Sequence, residues 1–255
     1  MILLHKLWRA LKFVVVFAYQ LAKLVLTRPH TRPERAAWLT GLCRAVLRSV
    51  GVSYSTTGPV PMHGAVITNH LSYLDILVHA AIRPCVFVSA IETRKLPVLG
   101  WISMMAGTIY VVRGGGGSAQ KAAEGMAKGF RDKLPVVFFP EGTTGVGDEP
   151  LLPFHSGLLA QALEAGAEVT PGFLHYDLSP IDLARGKSAR DDVHWGPQPL
   201  TAHIWNFLGL HALHAELRFA PTPIAFSPEA YVDRKRAAAE ARSAVLAIYA
   251  PSIAP

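Results

Sequence analysis

Between residues 5 and 27, polar and apolar side chains sort onto opposite sides of a helix. His5, Arg9, Lys12, Gln20, Lys23 and Thr27 fall on one face with Lys6 beside them, while Leu7, Leu11, Val14, Ala18, Leu21 and Val25 fall on the other. The apolar arc is wide and the polar stripe is basic. That pattern predicts a helix in the bilayer interface, its basic side chains among the headgroups. A core-packing amphipathic helix and a cleaved signal peptide share parts of it, but no small-x-small cleavage site follows, and Lys23 and Arg28 stand in its place. Lys12 and Lys23 bracket only ten residues. At about 1.5 Å per residue that is roughly half a hydrocarbon core, so the segment is expected to lie on a membrane without crossing it.

After Arg28-Pro29 a second helix is predicted over residues 35–50, with Gly51 placed to end it. From there the period alternates. Short β-branched or aromatic runs at 65–68, 85–89, 108–112, 136–139 and 168–174 read as strands, and the stretches 73–82, 96–106, 119–133 and 156–165 read as helices. The expected fold class is α/β, a mostly parallel sheet covered by helices and preceded by an N-terminal membrane-associated helix pair. Two regions follow: residues 1–50 as amphipathic membrane-associating helices, and 51–255 as the α/β domain. Residues 177–199 are polar and carry Pro and Gly, so they read as an insertion before a late strand at 215–219. Ser227-Pro228-Glu229 reads as the start of a final helix.

Charge changes this picture in one respect. Residues 1–50 carry nine Lys and Arg against Glu34 alone, net +8, and the rest of the chain is net −1. The positive charge is therefore an N-terminal property beside apolar sequence, which favours an anionic lipid surface over nucleic acid as partner. Charged residues are only 17% of the chain, below the roughly one quarter usual in soluble domains. Cys43 and Cys85 make no disulfide framework and fit a reducing compartment. No Cys/His spacing suggests a metal site.

Three segments leaving predicted strands carry candidate chemistry. In Asn69-His70-Leu71-Ser72-Tyr73-Leu74-Asp75, the histidine sits at the carboxyl end of a strand, where open α/β sheets bind ligands. Asp75 is spaced to bond the imidazole, fixing one nitrogen and leaving the other as a base. Ser72 and Asp75 also have capping-box spacing, so Asp75 could simply close a helix start. The second segment, Gly107-Thr108-Ile109-Tyr110-Val111-Val112-Arg113, delivers an arginine able to clamp a phosphate bidentately before a glycine run. In the third, Phe138-Phe139-Pro140-Glu141-Gly142-Thr143-Thr144, a sharp turn presents Glu141 and the threonine hydroxyls at the sheet edge.

In order and spacing these segments resemble the lysophosphatidic acid acyltransferase family and its glycerolipid relatives. That family shows N-H-x4-D, G-x-x-[FY]-[IV]-x-R, F-P-E-G-T and then a strand with a proline, here Val169-Thr170-Pro171. The resemblance covers roughly residues 60–175. It implies a catalytic dyad of His70 and Asp75, Arg113 on the acceptor phosphate, and Glu141, Gly142 and Thr143 in acceptor positioning. It also implies transfer of a fatty acyl group from acyl-CoA or acyl carrier protein to 1-acyl-sn-glycerol-3-phosphate, giving phosphatidic acid in phospholipid biosynthesis. The thioester is then a co-substrate, with no cofactor and no metal. From their charge and periodicity, residues 1–50 are expected to hold the protein at the cytoplasmic face of the cell membrane as a monotopic or peripheral protein. Thr144 and His155 stand where many members carry a basic residue, which opens another lysolipid, such as lyso-ornithine lipid, as acceptor. The segment from His194 to Trp205 resembles a tail of bacterial relatives and carries no assignable chemistry.

Two other classes compete with this reading. A non-catalytic membrane-binding module would be expected to lose His70 or Asp75, and a serine hydrolase would need a G-x-S-x-G elbow, which is absent.

Overall fold

The computed structural model describes residues 2–96, 98–112, 118–145 and 150–249. The chain opens with α1 (Ile2–Thr27) and α2 (Arg32–Ser49), then β1 (Val52–Thr57), β2 (Ala65–Ile67), α3 (Leu74–Ile82) and β3 (Val86–Ala90). It continues through α4 (Leu99–Met105), β4 (Ile109–Val111), α5 (Ser118–Arg131), β5 (Val136–Phe138), α6 (Ser156–Glu164) and β6 (Val169–Leu178). The last part holds α7 (Pro180–Ala184), α8 (Ala189–Asp192), α9 (Leu200–Phe207), β7 (Leu213–Phe219) and α10 (Arg234–Tyr249).

Among the described residues seven strands form one sheet, in the order β1-β7-β6-β2-β5-β3-β4. Every pairing is parallel except β6 with β7. Alternate residues of β2 feed two cores. Val66 packs in a cluster with α2 and α3 residues such as Leu42, Leu47 and Val78. Ala65 and Ile67 face the opposite side, with Met126, Leu159 and Val245 from α5, α6 and α10. The central strands are covered on both faces, which is why they read as unbroken apolar runs.

Beyond α1, the sequence expectations need four corrections. β1 was not anticipated: Val-Ser-Tyr-Ser-Thr-Thr is polar because it is an edge strand, exposed along most of its length. α2 begins at Arg32, three residues earlier than expected, because Thr31 and Glu34 form a capping box and Pro33 sits in the first turn. β6 runs past residue 174 to Leu178, because its second half pairs with β7, and the insertion that follows is helical in part. Ser227 opens only a 3-10 turn over Pro228–Tyr231, and its hydroxyl donates instead to Glu240 Oε1 at 2.5 Å.

α1 has the predicted helix but not the predicted orientation of its polar stripe. Arg9 is buried, and its guanidinium donates to Leu210 O and, at 2.6 Å, to His211 O. Gln20 is also buried; its side-chain amide donates to Gly41 O at 3.4 Å, and its backbone carbonyl accepts from Trp38 Nε1 at 2.9 Å. His5 Nε2 lies 3.2 Å from Leu210 O. His5 and Arg9 face the domain toward carbonyls of the turn between α9 and β7, and Gln20 faces α2. The outward face is the apolar arc, with Leu4, Leu7, Leu11, Val14, Val25 and Leu26 exposed. By length and composition this one described helix could cross a membrane. Gly51 ends α2 as expected, at φ 77°, and it also makes room: a Cβ there would lie 1.9 Å from Arg9 Nη2.

Candidate active site

The site forms where β2 and β5 end side by side, Ile67 opposite Phe138. Two residues past β2, Asn69 is fully buried and its amide bonds both backbone groups of Leu174, donating to O at 2.9 Å and accepting from N at 2.7 Å. This clips the chain to β6 and turns His70 outward over the sheet edge.

His70 Nδ1 lies 2.7 Å from Asp75 Oδ2. Asp75 is fully buried, whereas the His70 side chain keeps 17% of its surface exposed, so a substrate can reach the imidazole but water has little access to its partner. The same carboxylate oxygen accepts from the backbone N–H of Leu71 at 2.6 Å and of Ser72 at 3.0 Å. The second oxygen accepts from Tyr176 Oη at 2.6 Å. Asp75 thus closes the start of α3 and holds the imidazole as well; both sequence readings describe one side chain. The serine half of the capping box does not form, since the cap position is Tyr73 and Ser72 Oγ has no bond. Phe139 stacks on the His70 ring at 4.0 Å between centroids. The arrangement fixes the ring, commits Nδ1 as donor and leaves Nε2 as the basic nitrogen.

Glu141 stands closer to His70 than its place in the sequence suggests. Its buried carboxylate accepts from the His70 N–H at 2.6 Å and from the Leu152 N–H at 2.8 Å. Gly145 N–H in turn donates to His70 O at 2.7 Å. The turn after β5 therefore grips both sides of the His70 backbone. Burial pushes the Glu141 carboxyl up to about 7, and the bonds from Leu152 and His70 hold it from rising further. Gly142 sits at φ 67°, and a Cβ there would meet His155 Cδ2 at 2.8 Å. Thr143 is exposed at the tip of the turn. Arg113 lies outside the described residues. Among the described residues no group of three or more His, Cys, Asp or Glu side chains is arranged to hold a metal ion.

Sequence reasoning missed Tyr176 and Phe139. Tyr176 shares the alternation of Leu174 and Leu178, buried beside exposed His175 and Asp177, and that period was the available signal.

The sequence profile of the family described as Acyltransferase matches residues 52–174, the stretch from β1 into β6. A lyso-ornithine lipid O-acyltransferase of Rhodobacter capsulatus is 30% identical over 92% of this chain and 85% of its own length. The chain belongs to the acyltransferase family. A lyso-ornithine lipid O-acyltransferase of Pseudomonas aeruginosa is 37% identical over 61% of the chain, which spans 58% of that relative's length. A 1-acyl-sn-glycerol-3-phosphate acyltransferase of Neisseria meningitidis is 29% identical over 70% of the chain and 68% of its own. The fold of this acyltransferase matches the crystal structure of the 1-acyl-sn-glycerophosphate acyltransferase PlsC from Thermotoga maritima, with a TM-score of 0.66 and 19% identity over 98% of each chain.

Proposed function

We propose that this acyltransferase moves a fatty acyl group from a thioester, carried by coenzyme A or acyl carrier protein, to the free hydroxyl of a lysolipid. The observation that carries the reading is the buried Asp75 carboxylate on Nδ1 of a partly accessible His70. Nε2 takes the hydroxyl proton as the acceptor oxygen attacks the thioester carbonyl. The tetrahedral centre collapses, the C–S bond breaks, and the imidazolium returns its proton to the departing thiolate. Ester and thiol are the products, and no acyl-enzyme forms. Asp75 steadies the imidazolium, as a carboxylate does in other histidine-based sites. Glu141 acts through the His70 backbone as a positioning residue; Gly142 and Thr143 face the acceptor at the turn, and Arg113 meets its anionic group.

Two acceptors are supported by different observations. Thr144 and His155 reduce the fixed positive charge around the turn, and two of the relatives above are named for lyso-ornithine lipid, whose headgroup carries no phosphate. Lysophosphatidate, giving phosphatidic acid, is supported by Arg113 in its motif and by the Neisseria relative. For location, α1 is laid against the domain from Arg9 to Gln20, so its apolar arc meets a membrane from the side, without the helix spanning it. We place that membrane contact on the cytoplasmic face.

The test is product mass from purified protein given each lysolipid in vesicles with acyl-CoA or acyl carrier protein thioester. A product heavier than one lysolipid by one acyl chain, with release of thiol, is expected. Thioester hydrolysis with no acylated lipid from either acceptor would overturn the reading.

A further inference from the structure

Residues 179–212 join β6 to β7 and carry no role in the chemistry above. Their inner end is fastened to the turn that bears His70. Val193 is fully buried, Trp195 N–H donates to Leu71 O at 2.8 Å, and His203 Nδ1 lies 3.2 Å from Tyr73 Oη. Their outer end behaves differently. Ile181, Leu183, Ile204 and Trp205 expose 45%, 56%, 37% and 40% of their surfaces, although their neighbours Asp182 and His203 are buried.

This outer end is clamped to α1. Arg9 bonds the carbonyls of Leu210 and His211, just past α9. The Asp182 carboxylate of α7 accepts from the His211 and Ala212 N–H groups of the same turn, at 2.8 Å and 3.2 Å. Lys6 Nζ stands 5.2 Å from the Trp205 ring centroid, and a Cβ on Gly209 would lie 2.7 Å from Lys6 Cε. The exposed apolar side chains of α7 and α9 therefore border the N-terminal half of the α1 arc.

We propose that α7 and α9 form the second part of a lipid-contacting surface begun by α1, and that the insertion sets the depth of the His70 turn against an anionic bilayer. The inference rests on the membrane reading of α1. A lipid surface is the occupant that fits, on two grounds. The chain carries no Asp or Glu before Glu34, so the α1 side of the border offers only cations, including Lys6 and Lys12. Trp205 beneath Lys6 pairs an amphipathic ring with an amine, a combination suited to the headgroup level. The acceptor would then need to rise only from the membrane plane to the turn that Trp195 and His203 brace.

The test uses the full chain. Cys43 and Cys85 are each 1% exposed, so one introduced cysteine can be labelled selectively with an NBD fluorophore. Labels are placed in separate variants at Ile204→Cys, Leu183→Cys, Trp8→Cys on α1, and Glu164→Cys on α6, which packs on the other face of the sheet. With vesicles of phosphatidylcholine and phosphatidylglycerol, emission from positions 204, 183 and 8 should brighten and shift to the blue, and position 164 should not change. A response at 8 without one at 204 or 183 would overturn this proposal and leave α1 as a membrane helix. No response at any position would overturn both, and a response at 164 equal to the others would show adsorption without the orientation proposed.

Discussion

The turn after β2 and the helix α1 both bury polar side chains against backbone groups, and they do so with opposite signs. At the His70 turn the chain presents N–H groups, those of His70, Leu71, Ser72 and Leu152, and carboxylates meet them: Asp75 at the start of α3 and Glu141 from the turn after β5. Beside α1 the chain presents carbonyls, those of Leu210 and His211 past the end of α9, and a guanidinium meets them. Backbone N–H groups are met by anions and backbone carbonyls by a cation, and the Asp75 bonds are the ones that close a helix start. The outcomes diverge because of what lies on the other side. At His70 the polar network faces inward and a basic nitrogen is left at the surface. At α1 the polar groups face inward and an apolar surface is left outside. A buried charge is a fastening in both places; what it fastens decides the function.

The largest effect should come from Asp75→Asn. One amide oxygen cannot accept from His70, Leu71, Ser72 and Tyr176 together, and its NH2 would face donors. We expect a stability loss of about 2–4 kcal/mol in urea unfolding. Turnover should fall by roughly 10²–10⁴ in the acyl-transfer assay. Loss of stability with full turnover would reduce Asp75 to a helix cap, and loss of turnover with full stability would remove its fastening role.

Glu141→Gln sharpens the same side through pH. Because burial raises this carboxyl from 4.5 to about 7, the folded state favours its protonated form. Its contribution to stability is present below pH 4.5 and is lost as pH rises through 7. The ceiling on that change is about 3 kcal/mol. Wild type should therefore lose stability relative to Glu141→Gln between pH 5 and pH 8, on the order of the ceiling or less, as read by denaturant midpoints at each pH. Parallel profiles would show that Glu141 is already ionised without penalty.

Arg9→Met keeps most of the buried stem but strips two carbonyls of their donor. A loss of about 1–3 kcal/mol in thermal unfolding is expected. Acylation of vesicle-embedded lysolipid should fall more than acylation of a dispersed short-chain analogue. No change in either would return the polar stripe of α1 to solvent. The smallest effect is expected from Tyr176→Phe, which deletes one of the bonds to Asp75. About 1–2 kcal/mol should be lost, with turnover reduced less than tenfold. A larger kinetic loss would mean that Tyr176 holds the geometry of the dyad.

What the residues disclosed and what they hid follow from range. The His70–Asp75 pair is separated by five positions, so local spacing reveals it. The helices and central strands announce themselves by period, since each buries a regular face. The partners of Arg9 lie about 200 positions away in the chain, and Tyr176 is 101 positions from Asp75. Nothing local distinguishes a basic stripe bound to headgroups from one bound to carbonyls. β1 was hidden for another reason, because an edge strand needs no apolar pattern when its pairing with β7 is made by the backbone.

The measurement closest to the central claim is the turnover of His70→Ala on whichever lysolipid the wild type acylates, with thermal unfolding recorded on the same preparation. The ring stacks on Phe139 and meets the Asp75 carboxylate, yet its backbone bonds to Glu141 and Gly145 survive the substitution. The account predicts a fold that still unfolds cooperatively and a turnover lower by roughly 10²–10⁴. A folded variant that retains more than about a tenth of wild-type turnover, well outside the range expected for a lost general base, would contradict it.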